Sequence, residues 1–233
     1  SNWPLRGVKG SLYEGGVRNN CVLRSSAFPT TWHGKEYPGL VHLVDMHAMV
    51  LGRASAAAQK HKALDGIDFY DEMSEYVSHS GHLFDVEVGT RDRLLINFDE
   101  LGSTVPLLDS SAVVGSAAYM RRMAAGADRK QHWLKLCVNL ANESRWSVPT
   151  TWNTTTEREA ASAPVEDVAT DHNTTTGIQL FDLTTDPSES HDLAPSHEHA
   201  ALRHQLLEEL RDQVSSPDYR MPIYSGGGKD MAA

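Results

Sequence analysis

Residues 3–18 read WPLRGVKGSLYEGGVR, and this stretch says more about the fold than any other part of the sequence. Four glycines and four charged residues lie within these sixteen positions, a density unusual for an ordinary surface loop. Lys9 stands between Gly7 and Gly10, so the backbone as well as the ammonium group can approach a bound anion. The alternative is a solvated lysine in a glycine-rich turn. The G-x-x-x-x-G-K-[ST] spacing of a P-loop cannot be laid over the segment.

The hydrophobic pattern of the first half of the chain changes at Pro38. Residues 1–37 alternate short apolar runs with glycine and proline, which predicts strands and loops. From Pro38 the apolar residues recur at helical spacing, which predicts a core-packed helix with Pro38 in its first turn. Residues 64–68 predict a turn that leads into a second helix over 69–77. The predicted core face of the first helix consists of Leu40, Leu43, Val44, His47, Val50 and Leu51.

The second half of the chain has the pattern of an antiparallel sheet followed by a helix. Leucines at helical spacing predict a closing helix over 202–214. Residues 144–176 are rich in serine and threonine and contain two prolines, which predicts a long exposed insertion. The tail after Tyr224 is predicted to fray. The predicted strands are 93–98, 119–122, 133–138 and 178–183, although residues 120–127 also suit a helical turn.

The composition excludes several classes of protein. The 233 residues suit one or two domains, and 40% hydrophobic residues is an ordinary supply for a core. A formal net charge of −10 without a basic block argues against nucleic-acid binding and against anionic membranes. No membrane span is predicted, because the most apolar stretch, residues 102–120, contains Asp109 and several hydroxyl side chains. Cys21 and Cys137 are too few for a disulfide framework, so each is predicted to be a buried thiol or half of a single bridge.

Several segments occur in the order seen in one known family. The segment around Lys9 resembles the stretch in which sulfatases carry a lysine before Gly-Ser, followed by Glu-Gly-Gly-x-Arg. Further matches run to the other end of the chain, so the sequence resembles the sulfatase family, and within it the arylsulfatase B type. These matches are residues 42–45 (HLVD), 64–68 (LDGID), 93–97 (RLLIN) and 180–194 (LFDLTTDPSESHDLA).

The resemblance implies sulfate-ester hydrolysis by a formylglycine made from a cysteine in a C-x-P-S-R motif, beside a calcium ion. Lys9 matches the family lysine that contacts a sulfate oxygen, where it stabilises charge that develops in the transition state. Neither the context of Cys21 nor that of Cys137 matches the nucleophile motif. The family's calcium ligands precede the matched lysine, so calcium is implied with its ligands outside this chain.

The resemblance also implies the α/β fold of the alkaline-phosphatase and sulfatase type. Residues 1–100 would finish a mixed α/β catalytic domain. Residues 101–233 would form a small carboxyl-terminal domain with an antiparallel sheet, a packed helix and the insertion at 144–176. The chain would be the carboxyl-terminal half of a sulfatase, with the amino-terminal half as its partner, and inactive alone. The expected substrate is a sulfate ester, with a sulfated glycan as the narrower expectation.

Two other functions fit the same residues. In a non-catalytic sulfatase-like module, Lys9 and the glycine-rich loop would only bind or scaffold. In a phosphate-ester hydrolase of the related alkaline-phosphatase superfamily, the same lysine would face a phosphate. A C-x-P-S-R motif in the upstream sequence would favour the enzyme, and its absence would favour the module.

Other clusters of ionisable residues favour structural roles. Histidines near the closing helix invite a zinc site, but His197 and His199 point apart on a helix and no nearby cysteine completes a ligand set. His42 and His47 are predicted to be packing histidines. No chemistry is assigned to the aspartates at 65, 68 and 71, because the family has a structural turn there. The histidines concerned in the zinc alternative are His191, His197, His199 and His204.

Three N-glycosylation sequons lie in or beside the predicted insertion, at Asn142, Asn153 and Asn173. This is a mild excess over the number that chance would give. The sequons favour a secreted or lysosomal protein.

Overall fold

The computed structural model describes residues 2–54, 64–78, 89, 91–98, 117–123, 131–138, 140 and 177–216. Four helices and four strands lie within these ranges, together with two short 3-10 helices at Thr30–Trp32 and His197–His199. The helices are α1 (Glu14–Val17), α2 (Leu43–Arg53), α3 (Tyr70–Ser78) and α4 (Ala200–Ser215). The strands are β1 (Arg93–Phe98), β2 (Ala117–Met123), β3 (His132–Val138) and β4 (Ile178–Asp182).

The four strands form one antiparallel sheet in the order β1-β2-β3-β4. Tyr119 on β2 lies opposite Leu95 on β1 and Leu136 on β3, and Leu136 in turn lies opposite Leu180 on β4. The four predicted strands are therefore confirmed, with ends that differ by at most two residues. The alternative of a helical turn at 120–127 is wrong for residues 120–123, because they pair with β3 throughout.

Helix α4 covers one face of the sheet. Tyr119, Leu136 and Leu180 are each 0% exposed on that face, and the Tyr119 hydroxyl donates to Oε2 of Glu209 at 3.0 Å. The predicted closing helix is confirmed, since its leucines follow the 3.6-residue period and their buried row meets the sheet. The α4 side chains in this core are Leu206, Leu207 and Leu210, with Leu202 and Val214 at its margin.

The amino-terminal segment packs on the opposite face of the sheet. Ala118, Cys137 and Phe181 are 0% exposed there and form a cluster with Tyr13. The strands predicted within residues 1–37 are wrong for the described part, residues 2–37, which forms turns, α1 and a 3-10 helix. The physical reason is that the segment bonds back to itself, as the next subsection describes, instead of pairing as an extended strand.

Helix α2 begins later than predicted and buries a different face. It starts at Leu43 with His42 as its N-cap, so Pro38 lies outside its first turn. The buried side chains are Asp45, Ala48 and Met49, whereas Leu43 is 82% exposed. Val44 and Val50 of the predicted core face are 40% and 59% exposed.

Two contacts orient α2. Met49 packs against Phe69 and Met73, and Asp45 forms a buried ion pair with Arg91. Because both contacts lie on the same side of the helix, the predicted apolar side faces outward. The preference of apolar residues for the interior is overridden here by a charged pair that only the tertiary structure creates.

Helix α3 confirms the predicted turn and second helix with a shift of one residue. Asp68 accepts a hydrogen bond from the Tyr70 backbone N–H at 3.1 Å and so begins the helix. Asp68 and Asp71 also pair with Arg53 of α2 at 3.6 and 3.2 Å. Within the part of the chain described, these carboxylates therefore have structural roles and hold two helices together.

Some expectations lie outside the described residues. These are the insertion at 144–176, the tail after Tyr224 and the three sequons at Asn142, Asn153 and Asn173. The division into domains at residue 100 stays a prediction. Among the described helices, none is long and apolar enough to span a membrane.

A candidate anion-binding loop around Lys9

Lys9 lies at the tip of a tight turn. The Ser11 backbone N–H donates to the carbonyl of Val8 at 2.9 Å, which places Lys9 and Gly10 in the two central positions. Gly10 has a φ of +95°, the left-handed region that a type II turn requires at its third residue. The Lys9 side chain is exposed and has no hydrogen bond or ion pair within the part of the chain described. Among the described residues, its ammonium charge therefore has no counterion.

The loop that carries Lys9 is closed by backbone hydrogen bonds. The Gly15 N–H donates to the Arg6 carbonyl at 2.6 Å, and the Asn2 side chain donates to the Gly15 carbonyl at 2.6 Å. A Cβ atom at Gly15 would lie 2.6 Å from the Arg6 oxygen, and one at Gly16 would lie 2.7 Å from the Val8 oxygen. The two adjacent glycines are thus needed because backbone passes where a side chain would stand.

Arg6 and Tyr13 attach the loop to the sheet. The Arg6 guanidinium donates to the Glu189 carbonyl at 3.1 Å and lies 4.2 Å from the centre of the Tyr13 ring. The Tyr13 hydroxyl donates to the side chain of Gln179 on β4 at 2.6 Å. Burial raises the pKa of Tyr13 to about 12, so the phenol stays neutral and keeps this hydrogen bond.

A buried set of charges, the Lys135 cluster, lies beneath the same loop and consists of Lys135, Glu14 and Glu189. Their exposed fractions are 0%, 5% and 0%. The Lys135 ammonium donates to Oε1 of Glu14 at 3.0 Å and lies 2.8 Å from Oε1 of Glu189. The other Glu189 oxygen, Oε2, accepts the Glu14 backbone N–H at 2.6 Å. The cluster therefore joins β3, the start of α1 and the segment after β4.

The charges in this cluster depend on one another. Burial alone would lower the pKa of Lys135, but the carboxylates of Glu189 and Glu14 raise its pKa above the usual value. Burial raises the pKa of Glu189 above its usual value in spite of the nearby ammonium group. Burial also raises the pKa of Cys137 to about 12, so this cysteine is a neutral thiol at physiological pH.

Residues 180–194 form a compact loop around their own carboxylates. Asp192 accepts the backbone N–H groups of Leu180 and Ala194 at 2.9 Å each, and Asp186 accepts that of His191 at 2.8 Å. Glu189 has a φ of +56°, rare for a side-chain-bearing residue, and this turn directs its carboxylate into the Lys135 cluster. The acidic residues of this segment serve the fold, and Glu189 connects it to the Lys9 loop.

Among the described residues, the cysteines and histidines do not form a second site. The two cysteines form no bridge with each other, and the predicted buried thiol is confirmed for Cys137 and wrong for Cys21, which is exposed. His42 caps α2, with the Val44 N–H donating to its Nδ1 at 3.4 Å, while His47 is exposed and the prediction that it packs is wrong. Over the described ranges, no group of three or more His, Cys, Asp or Glu side chains is arranged to hold a metal ion.

The sequence alone did not single out the Lys135 cluster. Two features of the sequence nevertheless indicate this cluster. Lys135 interrupts the apolar run of β3 and shares the face of Cys137, which predicts a buried charge on that face. Glu14 and Glu189 each lie within one of the two most specific segments of the resemblance, residues 3–18 and 180–194.

With this geometry, the comparisons with known proteins support a relationship to sulfatases. The chain matches no protein-family profile. It is similar to Arylsulfatase J of Mus musculus, with 27% identity over 194 residues, which cover 83% of this chain and 29% of that protein. The chain thus spans less than a third of the length of this relative. The match agrees with the sulfatase resemblance and with an α/β fold of the alkaline-phosphatase type, of which the described residues supply an antiparallel sheet and helices.

Proposed function

We propose that this chain is the carboxyl-terminal part of a sulfuric ester hydrolase of the arylsulfatase B type, in which Lys9 contacts the sulfate group of the substrate. The observation that carries the proposal is the Lys9 loop itself. An exposed ammonium group, with no counterion among the described residues, stands on a turn that is closed by backbone hydrogen bonds. The similarity to Arylsulfatase J supports the reaction class.

The role of Lys9 follows from the chemistry of the sulfate ester. When the S–O bond breaks, negative charge grows on the oxygens of the transferring group, and a compact ammonium group at hydrogen-bond distance stabilises that charge. The turn holds the backbone of Lys9 before substrate binds, so less reorganisation is needed in the transition state. Gly10 has open space where a side chain would stand, which leaves room for a substrate oxygen to approach the backbone.

The nucleophile and the metal are expected from the amino-terminal half of the same protein. Cys21 lacks the C-x-P-S-R context, and Cys137 is fully buried with a raised pKa, so neither suits conversion to formylglycine. The residues that the structure describes do not fit a calcium site, and we derive no step through calcium.

The substrate class and the cellular location extend this proposal. A sulfate ester, and more narrowly a sulfated glycan, is the proposed substrate. The sequons at Asn142, Asn153 and Asn173 support a glycosylated protein of the secretory or lysosomal route.

Lys9 can be tested in the full-length protein that contains this chain. We expect Lys9→Ala to lower kcat/KM for a chromogenic aryl sulfate by about 10²–10³-fold, the usual effect of losing one preorganised donor. Lys9→Arg should restore activity only in part, because a planar guanidinium does not occupy the place of a point charge. Lys35→Ala removes another exposed lysine and serves as the matched control, with unchanged activity.

Two results would contradict the proposal. Turnover by the Lys9→Ala variant within about threefold of the wild-type value would show that Lys9 does not contact the sulfate in the transition state. A full-length protein that binds sulfate esters through Lys9 without hydrolysing them would be the non-catalytic module.

A further inference from the structure

The Lys135 cluster is more polar than a purely structural contact between loop and sheet needs to be. Lys135 is 0% exposed on the sheet face that also holds Cys137 and Phe181. Burying an ammonium group and two carboxylates is costly, and apolar side chains of similar volume often stabilise a fold as well or better. What charged groups add is a defined geometry, because each must keep its partner.

The Lys135 cluster fixes the backbone next to the hydrogen bond that closes the Lys9 loop. Glu14 is held twice, by its side chain on Lys135 and by its backbone N–H on Glu189. The next residue, Gly15, donates the 2.6 Å hydrogen bond to Arg6 that closes the loop. A shift of Glu14 would therefore move the closing hydrogen bond and the turn that presents Lys9.

We propose that Lys135 and Glu189 are positioning residues for Lys9, holding the closed loop in the orientation in which the ammonium group meets the sulfate. This inference rests on the proposed function of Lys9. Both act through Glu14 rather than on the substrate, Lys135 through its side chain and Glu189 through its backbone N–H. Arg6 adds a second attachment, since its guanidinium donates to the Glu189 carbonyl.

The test uses the full-length protein with two variants of the cluster. Lys135→Met removes the buried charge and keeps an unbranched side chain that is one heavy atom shorter. Glu189→Gln keeps an oxygen that can accept the Glu14 N–H and is the milder change. Val138→Ala on the same strand is the control, because this buried side chain faces α4 and not the loop.

Two measurements are made on each variant, namely amide hydrogen exchange of residues 6–16 against residues 202–214, and separate kcat and KM for an aryl sulfate. We expect Lys135→Met to speed exchange in residues 6–16 by at least tenfold and to lower kcat by at least tenfold. Glu189→Gln should show the same pattern to a smaller degree. Val138→Ala should lower the melting temperature without changing loop exchange or kcat.

The outcomes separate this inference from the proposed function. If Lys9→Ala impairs turnover but the folded cluster variants leave kcat and loop exchange unchanged, the positioning role is wrong and the function stands. If Lys9→Ala leaves turnover normal, the proposed function fails whatever the exchange shows. If Lys135→Met does not fold, the test rests on Glu189→Gln. Amide hydrogen exchange of residues 6–16 at the wild-type rate in that variant overturns the inference.

Discussion

Asp45 offers a quantitative test of how α2 is held. Its side chain is 3% exposed and accepts the backbone N–H groups of His42 at 2.7 Å and Ile67 at 2.9 Å. The guanidinium of Arg91, itself only 14% exposed, completes the arrangement. In Asp45→Asn, an amide group replaces one acceptor oxygen, and Arg91 loses its counterion.

The expected cost follows from these contacts. Breaking a buried pair by removing one partner costs about 3–5 kcal/mol, and the partial exposure of Arg91 favours the lower end, about 3 kcal/mol. For a protein of this size, that corresponds to a melting temperature lower by roughly 6–12 °C at pH 7. Asp65→Asn, at an exposed position of the neighbouring turn, is the matched control and should shift it by no more than about 2 °C.

The pH dependence of the stability difference between wild type and Asp45→Asn provides a second measurement of the same prediction. Burial alone would raise the pKa of Asp45, but the hydrogen bonds from Arg91, Ile67 and His42 outweigh it and lower the pKa below 3.8. The stabilisation is therefore present above about pH 4 and is lost as the pH falls through the lowered pKa. The difference between wild type and Asp45→Asn should be constant from pH 5 to 7 and shrink below pH 3.8. A difference under about 1 kcal/mol, or one unaffected by acid, would refute the reasoning.

Three further predictions follow from the site. The purified 233-residue chain should not hydrolyse a chromogenic aryl sulfate, and turnover above that of a Lys9→Ala preparation would contradict this. Because Lys9 is exposed and has no partner in the part of the chain that the structure describes, Lys9→Ala should change the free energy of unfolding by less than about 1 kcal/mol, measured by urea denaturation. Burial raises the pKa of Glu189 above 4.5, so wild-type stability relative to Glu189→Gln should increase as the pH falls through that raised pKa towards 4.5. Urea midpoints between pH 8 and 4.5 measure this trend, and parallel profiles would contradict it.

The elements that the sequence predicted well are those in which local pattern and burial agree. The strands alternate between the α4 face and the opposite face, as Leu134 and Leu136 alternate with Lys135 on β3. Helix α4 was predictable because its leucines form one buried row. In these cases the period of the side chains alone determines which residues can share a face.

The predictions that failed depend on contacts between distant residues. The buried face of α2 is decided by Arg91, which lies 46 positions after Asp45, so helical spacing could not identify it. The chain before residue 38 contains strand-like apolar runs, but a backbone hydrogen bond from Gly15 to Arg6 closes residues 6–15 into a loop. The spacing of hydrophobic residues along the chain gives no information about the Asp45–Arg91 ion pair or the Arg6–Gly15 hydrogen bond.

Lys9 and Lys135 show why the candidate site could be located but not completed from the sequence. Lys135 is neutralised by Glu14 and Glu189 and has no charge to offer a ligand, whereas Lys9 has no internal partner within the described residues. The two lysines are connected through Glu14. Lys135 holds the Glu14 side chain, and the next residue, Gly15, donates the hydrogen bond that closes the loop carrying Lys9. An ammonium group on a fixed backbone loses less conformational freedom on binding than one on a mobile loop. The segments 3–18 and 180–194 are therefore one physical unit, with the first supplying the charge and the second, through Glu189, fixing where that charge stands.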